Sequence, residues 1–140
     1  MKINFTKKQM QHLIRLGEAG SWLINSHRDD EIKEYEEINQ YILESAYKMG
    51  LEEVIYDKGL AKYFLTPGVE EEMTDLAQEY DDYTFFEELP THLAKRDYAR
   101  EENTRNNDQE SYLSRIFELE EKYVEEFMEN GLENLEIKKK

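Results

Sequence analysis

The chain contains no cysteine. That excludes disulfides, thiolate metal sites and thiol nucleophiles. No apolar run approaches the ~18 residues that span a bilayer. The opening Met1-Lys2-Ile3-Asn4-Phe5-Thr6 lacks the apolar stretch of a secretory signal. A cytoplasmic location without membrane attachment is the expectation. Lys and Arg are missing from the whole stretch Tyr63–Ala94, which instead holds Glu70, Glu71, Glu72, Asp75, Glu79, Asp81, Asp82, Glu87 and Glu88. Only three histidines occur, His12, His27 and His92. No serine lies in G-x-S-x-G, and no P-loop, G-x-G-x-x-G or EF-hand loop is present.

What the chain has in abundance is acid. Thirty-three Asp and Glu oppose eighteen Lys and Arg, for a net charge of −15 over 140 residues. Such a charge repels nucleic acid and anionic lipid, and it favours a basic partner or a cation. Low hydropathy with high charge is also a signature of disorder. Ten tyrosines, six phenylalanines and a tryptophan, recurring at helical spacing, argue instead for a folded domain. The length suits one domain with one core.

Patterning divides the chain into helices. Ile3 and Phe5 alternate with polar neighbours, as in a short strand. Thr6 is placed to cap a helix from about Lys7 to His27, with Met10, Leu13, Ile14, Trp22 and Leu23 on its apolar face. Gly17 and Gly20 weaken its middle, which points to close packing or a bend. Asp29 or Asp30 is read as the cap of a second helix with Ile32, Tyr35, Ile38, Tyr41, Ile42, Ala46 and Met49 on one face, ended by Gly50. Its short connection implies an antiparallel hairpin with the first helix.

Leu51–Tyr56 reads as a helical turn, Asp57-Lys58-Gly59 as a reverse turn, and Leu60–Leu65 as a turn or an extended piece. Thr66-Pro67-Gly68 is a stop, followed by a short acidic third helix carrying Val69, Met73, Leu76 and Tyr80. Thr84-Phe85-Phe86-Glu87 fits a capping box for a fourth helix to about Arg100, kinked or restarted at Pro90. Residues 101–107 lack apolar side chains and are expected to form a mobile loop. Asn106, Asn107 or Asp108 then opens a last helix with Tyr112, Leu113, Ile116, Phe117, Leu119, Tyr123, Val124, Phe127 and Met128, closed by Gly131. Leu135 and Ile137 mirror Ile3 and Phe5, so a terminal two-stranded β-ribbon is expected, with residues 138–140 a disordered tail.

Four sets of residues invite a chemical reading. His27 with Glu31, and Glu88 with His92, are spaced at four; on helices each pair shares a face, making a weak candidate metal set. The Glu-x-x-His spacing of di-iron bundles is absent, and surface His–Glu neighbours are the commoner explanation. The carboxylates Asp81, Asp82, Glu87 and Glu88 offer acid–base pairs, but in so acidic a chain such pairs arise by chance. Trp22, Asn25 and Arg28 are spaced at three, and Arg96-Asp97 ends an apolar face. An Arg28–Asp97 ion pair with Asn25 beside it is expected, and a small ligand pocket near Trp22 is the functional version of the same set. The tyrosines fit core positions or a partner surface.

Trp22-x-x-Asn25-x-x-Arg28, Tyr83-Thr84-Phe85-Phe86-Glu87-Glu88-Leu89 and Leu93-Ala94-Lys95-Arg96-Asp97 resemble a group of small acidic bacterial proteins to which no function is attached. The resemblance covers Phe5 to Ile137, and Pro90 departs from its pattern. It implies a bacterial or phage source and no activity.

The expectation is therefore a mainly α fold, about five helices around one core, in a single domain over 1–140. A non-catalytic interaction protein is favoured: an adaptor, inhibitor or immunity-like factor for a basic partner, or a DNA mimic. No cofactor and no direct nucleic-acid binding are expected. Glu70, Glu71, Asp75, Asp81 and Asp82 form its expected negative patch. The alternative is an enzyme or metal-binding protein using His27, Glu31, Glu88 and His92.

Overall fold

The structure, a computed structural model, describes residues 3–101 and 109–138. Residues 102–107 of the expected loop, the cap at Asn106, Asn107 or Asp108, and the tail beyond Lys138 lie outside them. The described chain runs α1 (Lys7–Asn25), α2 (Lys33–Lys48), β1 (Val54–Asp57), β2 (Lys62–Leu65), α3 (Pro67–Tyr98) and α4 (Gln109–Asn130). Helix makes up 69% of it, so the fold is mainly α. It divides into two compact units, Met1–Gln78 and Glu79–Lys140, and the division falls inside α3.

Two expectations are corrected. The described residues form four helices rather than five, because the third and fourth are one helix through Pro90. Residues 78–86 contain no Gly or Pro to stop it. Proline removes one helical hydrogen bond, but Pro90 is fully buried, and its packing offsets part of that loss. The Thr84 capping box is consequently unused. The β-ribbon is also not terminal: neither residues 3–6 nor 135–138 are strand. Ile3 and Phe5 belong to the first unit and Leu135 and Ile137 to the second, and an isolated pair is marginal by itself. The ribbon is instead the antiparallel hairpin β1–β2, with Val54 opposite Leu65 and Asp57 opposite Lys62.

In the first unit, Thr6 caps α1 as expected. Its hydroxyl accepts from the Gln9 N–H at 3.2 Å, and the Gln9 side chain accepts from the Thr6 N–H at 2.9 Å. Met10 and Ile14 of α1, Leu43 and Ala46 of α2, Leu51, Val54 and Leu65 around the hairpin, and Val69 of α3 form one buried cluster. The buried stripe of α2 is Asn39, Leu43 and Ala46. Ile38, Trp22 and Phe117, apolar residues that the helical period marks as core, are exposed. On α2 the reason is Asn39: a polar residue occupies the buried face, so the apolar period alone is misphased by one residue.

The hairpin is held by side chains. Asp57 Oδ1 accepts from the N–H groups of Gly59 and Leu60 at 2.7 and 3.0 Å, closing the turn. Gln40 brackets the Tyr63 peptide, donating to its carbonyl at 2.9 Å and accepting from its N–H at 3.0 Å. Tyr56 and Tyr63 are a cross-strand pair with ring centroids 4.8 Å apart, and Tyr47 of α2 stands 5.5 Å from Tyr63.

In the second unit the remainder of α3 and α4 are joined by Ala94, Ile116 and Leu119, with Tyr98 edge-on to Tyr112 at 4.9 Å. Pairing runs antiparallel: Phe86 meets Phe127, Thr91 meets Glu120, and Tyr98 meets Tyr112. Tyr123 donates its hydroxyl hydrogen to Asp97. Arg96 donates to Asp97 at 2.8 Å and to the Tyr123 oxygen at 3.0 Å. Arg115 clasps Glu101 through Nε and Nη2 and also reaches Glu118.

Two predictions follow from this packing. A Cβ at Gly17 would lie 2.7 Å from Asn39 Oδ1 and 3.4 Å from Ile42 Cδ1. Asn39 is buried and tied to Glu18 by a 2.9 Å bond, so it has little room to retreat. Gly17→Ala should therefore destabilise by about 1–3 kcal/mol, as overpacking does. Gly20→Ala meets nothing within 4 Å and should stabilise by about 1 kcal/mol. Urea unfolding of the two variants checks the contrast; equal gains at both sites would refute the close approach.

The second prediction concerns pH. Arg96, then Tyr123 and Arg100, hold the Asp97 carboxyl below its ordinary value of 3.8. A depressed carboxyl contributes stability that is present above the unfolded pKa and lost as pH falls through the lower folded pKa. Neutralising the surplus charge toward the pI of about 4.6 relieves repulsion, so loss should set in only below that point. Unfolding midpoints measured from pH 7 to 2 should fall at the acid end, and Asp97→Asn should fall less steeply there. An unchanged acid limb in Asp97→Asn would show that the network contributes nothing.

Candidate functional site

Of the two candidate metal pairs, only one lies on a helix. α1 ends at Asn25 with Ser26 as cap, so His27 and Glu31 sit in the connection to α2 and share no helix. Glu88 and His92 do share α3, 3.9 Å apart and well exposed. Among the described residues no group of three or more His, Asp or Glu side chains is placed to hold a metal ion.

The polar set resolves into two local structures. Asn25 folds the α1–α2 connection: its Oδ1 accepts from the Ile32 N–H at 2.9 Å and its Nδ2 donates to the Ile32 carbonyl at 3.4 Å. That bond replaces the expected Asp29 or Asp30 cap, since Ile32 occupies the N-cap position of α2. Arg28 donates from Nε to the Ile24 carbonyl at 2.7 Å, covering an acceptor at the end of α1. Trp22 beside them is 38% exposed. Asp97 is engaged within the second unit by Arg96, Arg100 and Tyr123. Asp97 thus has cationic partners within its own unit, whereas the bond Arg28 makes is to a neutral carbonyl.

The acids divide by environment. In the first unit Arg15 grips Glu72 through two bonds of 2.8 and 2.9 Å, and this holds the Glu72 carboxyl below the usual range. Its neighbours Glu70, Glu71 and Asp75 are exposed and enter no ion pair among the described residues. In the second unit Asp81 and Asp82 are exposed on α3. Asp81, Phe85, Glu88 and His92 follow one face of that helix, and Asp82, Tyr83, Phe86 and Glu87 another.

This second face meets α4 across a groove of about 570 Å³. Its floor is Tyr83 and Phe86 from α3 with Val124, Phe127 and Met128 from α4. Its rim is acidic: Asp82 and Glu87 on one side, Glu120 on the other, and among the described residues no basic one lines it. Phe86 and Phe127 meet edge-on at 6.5 Å, and Tyr123 stacks on Phe127 at 6.0 Å. Thr91 fixes Glu120 by donating to Oε1. Pro90 has no N–H, so the Phe86 carbonyl lacks its helical donor and stays an acceptor. Met128 is 82% exposed, far more than an aliphatic side chain on an amphipathic stripe requires.

Sequence reasoning missed this groove because its floor reads as core. Phe127 and Met128 continue the apolar stripe of α4, and Phe86 falls within the capping box expected at Thr84-Phe85-Phe86-Glu87. The available signal was the surplus: α4 carries more apolar positions than one facing helix can cover. Among the described residues no helix is long and apolar enough to cross a membrane. Comparison with family models, with curated proteins and with solved structures finds no match.

Proposed function

We propose that this chain is a non-catalytic interaction protein that binds a basic partner through the acids of α3. The observation that carries the reading is the charge pattern of that helix. Glu70, Glu71, Asp75, Asp81 and Asp82 are exposed on a segment with no Lys or Arg before Lys95. Among the described residues Arg15 draws Glu72, near the start of the helix, into an ion pair. Concentrating like charge on one exposed helix costs stability through repulsion, and a basic partner recovers that cost on binding. Such a surface also raises the rate of encounter with a cationic partner and suppresses encounter with nucleic acid.

A helical Lys-Ala peptide, which offers charge and little apolar area, is the direct probe. It should bind at low salt and weaken steeply toward physiological salt, where the Debye length shortens from about 30 to about 8 Å. Glu70→Lys with Asp82→Lys should weaken it by about two- to tenfold at low salt, in line with the modest worth of exposed charges. The same salt should raise the melting temperature of the free protein. Binding that ignores both salt and these reversals would refute the reading.

A further inference from the structure

We infer that the groove between α3 and α4 in the second unit is the docking site for an amphipathic basic helix of a partner protein, with an apolar seam flanked on both sides by Lys or Arg. The inference rests on the proposed reading and adds the place and the recognised element. Charge complementarity fixes the sign of the occupant. Asp82, Glu87 and Glu120 rim the groove, and among the described residues no cation lines it. The rim carboxylates can only accept, so the occupant must donate.

The floor fixes the rest. Phe86, Val124, Phe127 and Met128 present an apolar strip that exposed acids alone do not explain. Along α4 the lining runs from Glu120 to Met128, about 12 Å at 1.5 Å per residue. That accommodates two helical turns, hence an anchor pair spaced at three or four. Acid lies on both helices that wall the groove, so cations are needed on both flanks of the anchor stripe. A helix supplies that arrangement on one face. A strand sends alternate side chains to opposite faces and supplies it poorly.

The test compares two helical peptides of equal charge, Lys-Ala and Lys-Leu, by fluorescence anisotropy against the full chain. Lys-Leu should bind about tenfold tighter or more, the worth of burying one leucine side chain. Val124→Thr with Met128→Gln removes apolar lining without changing charge; both positions are exposed, and the far-UV spectrum verifies the fold. This variant should reduce Lys-Leu to within a few-fold of Lys-Ala and leave Lys-Ala binding unchanged. Glu87→Gln should lower the salt dependence of Lys-Leu binding. If Lys-Leu gains nothing over Lys-Ala, or responds to Glu70→Lys but not to Val124→Thr/Met128→Gln, the groove is overturned while the charge reading stands. If neither peptide binds, both fall. If sedimentation shows a dimer that the Val124→Thr/Met128→Gln variant dissociates, the occupant is a second copy of the chain and the inference is overturned.

Discussion

The scarcity of cations organises this molecule. With 33 acids against 18 bases, a basic side chain that joins two elements is a limited resource, and several are spent on specific tertiary joints. Arg15 ties α1 to the start of α3 through Glu72, and Lys62 reaches Glu36 from the hairpin to α2. Arg96 braces Asp97 and Tyr123, and Arg115 clasps Glu101 and Glu118. All four are at least partly solvated, so each joint is worth little energy by itself. Their effect is to choose which acids are tied down. The acids left over must face water, because an ionised carboxylate is not buried without a partner. Among the described residues, Glu70, Glu71 and Asp75 of α3 are what that allocation leaves without an ion pair.

Neutral polar side chains do the work that charge cannot. Asn25 closes the α1–α2 connection, Gln40 brackets the edge of β2, and Asp57 shapes the hairpin turn. Asn39 goes further and sits within the core stripe of α2. Its Nδ2 is satisfied by Glu18, while its Oδ1 has no hydrogen-bond donor and faces Gly17. In glycine a Cα hydrogen takes the place that a Cβ would fill, so the oxygen gains a weak C–H contact in place of a clash. A helix-weakening glycine and a core-weakening amide compensate one another across the same crossing. That pairing sets the register of α1 on α2.

The second unit shows the other consequence of an acid-rich, aromatic-rich chain. Its buried cluster is small, comprising Ala94, Ile116 and Leu119 with two tyrosines packed on it. Two facing helices cannot enclose every apolar residue they carry, and the excess collects at one end as the acid-rimmed groove. Pro90 leaves two marks on α3. Its burial keeps α3 continuous, and its missing N–H leaves an acceptor on Phe86.

Much of the local structure was legible in the amino-acid sequence. Thr6 announced the start of α1, Thr66-Pro67 the start of α3, Gly131 the end of α4, and the helical period the mainly α class. These are short-range facts, decided by capping, φ restriction and side-chain spacing within a few residues. The sequence by itself also determined the charge imbalance and the run without Lys or Arg, because composition does not depend on folding. Only the tertiary structure decided the rest. The hairpin at 54–65 depends on Gln40, Tyr47 and the core beneath Val54 and Leu65, none of them local to its turn. The unbroken α3 depends on a proline being buried. The phase of α2 depends on Asn39 meeting a glycine on another helix. The groove depends on which apolar residues of α4 find no cover, and that is settled by what packs opposite them rather than by the stripe itself.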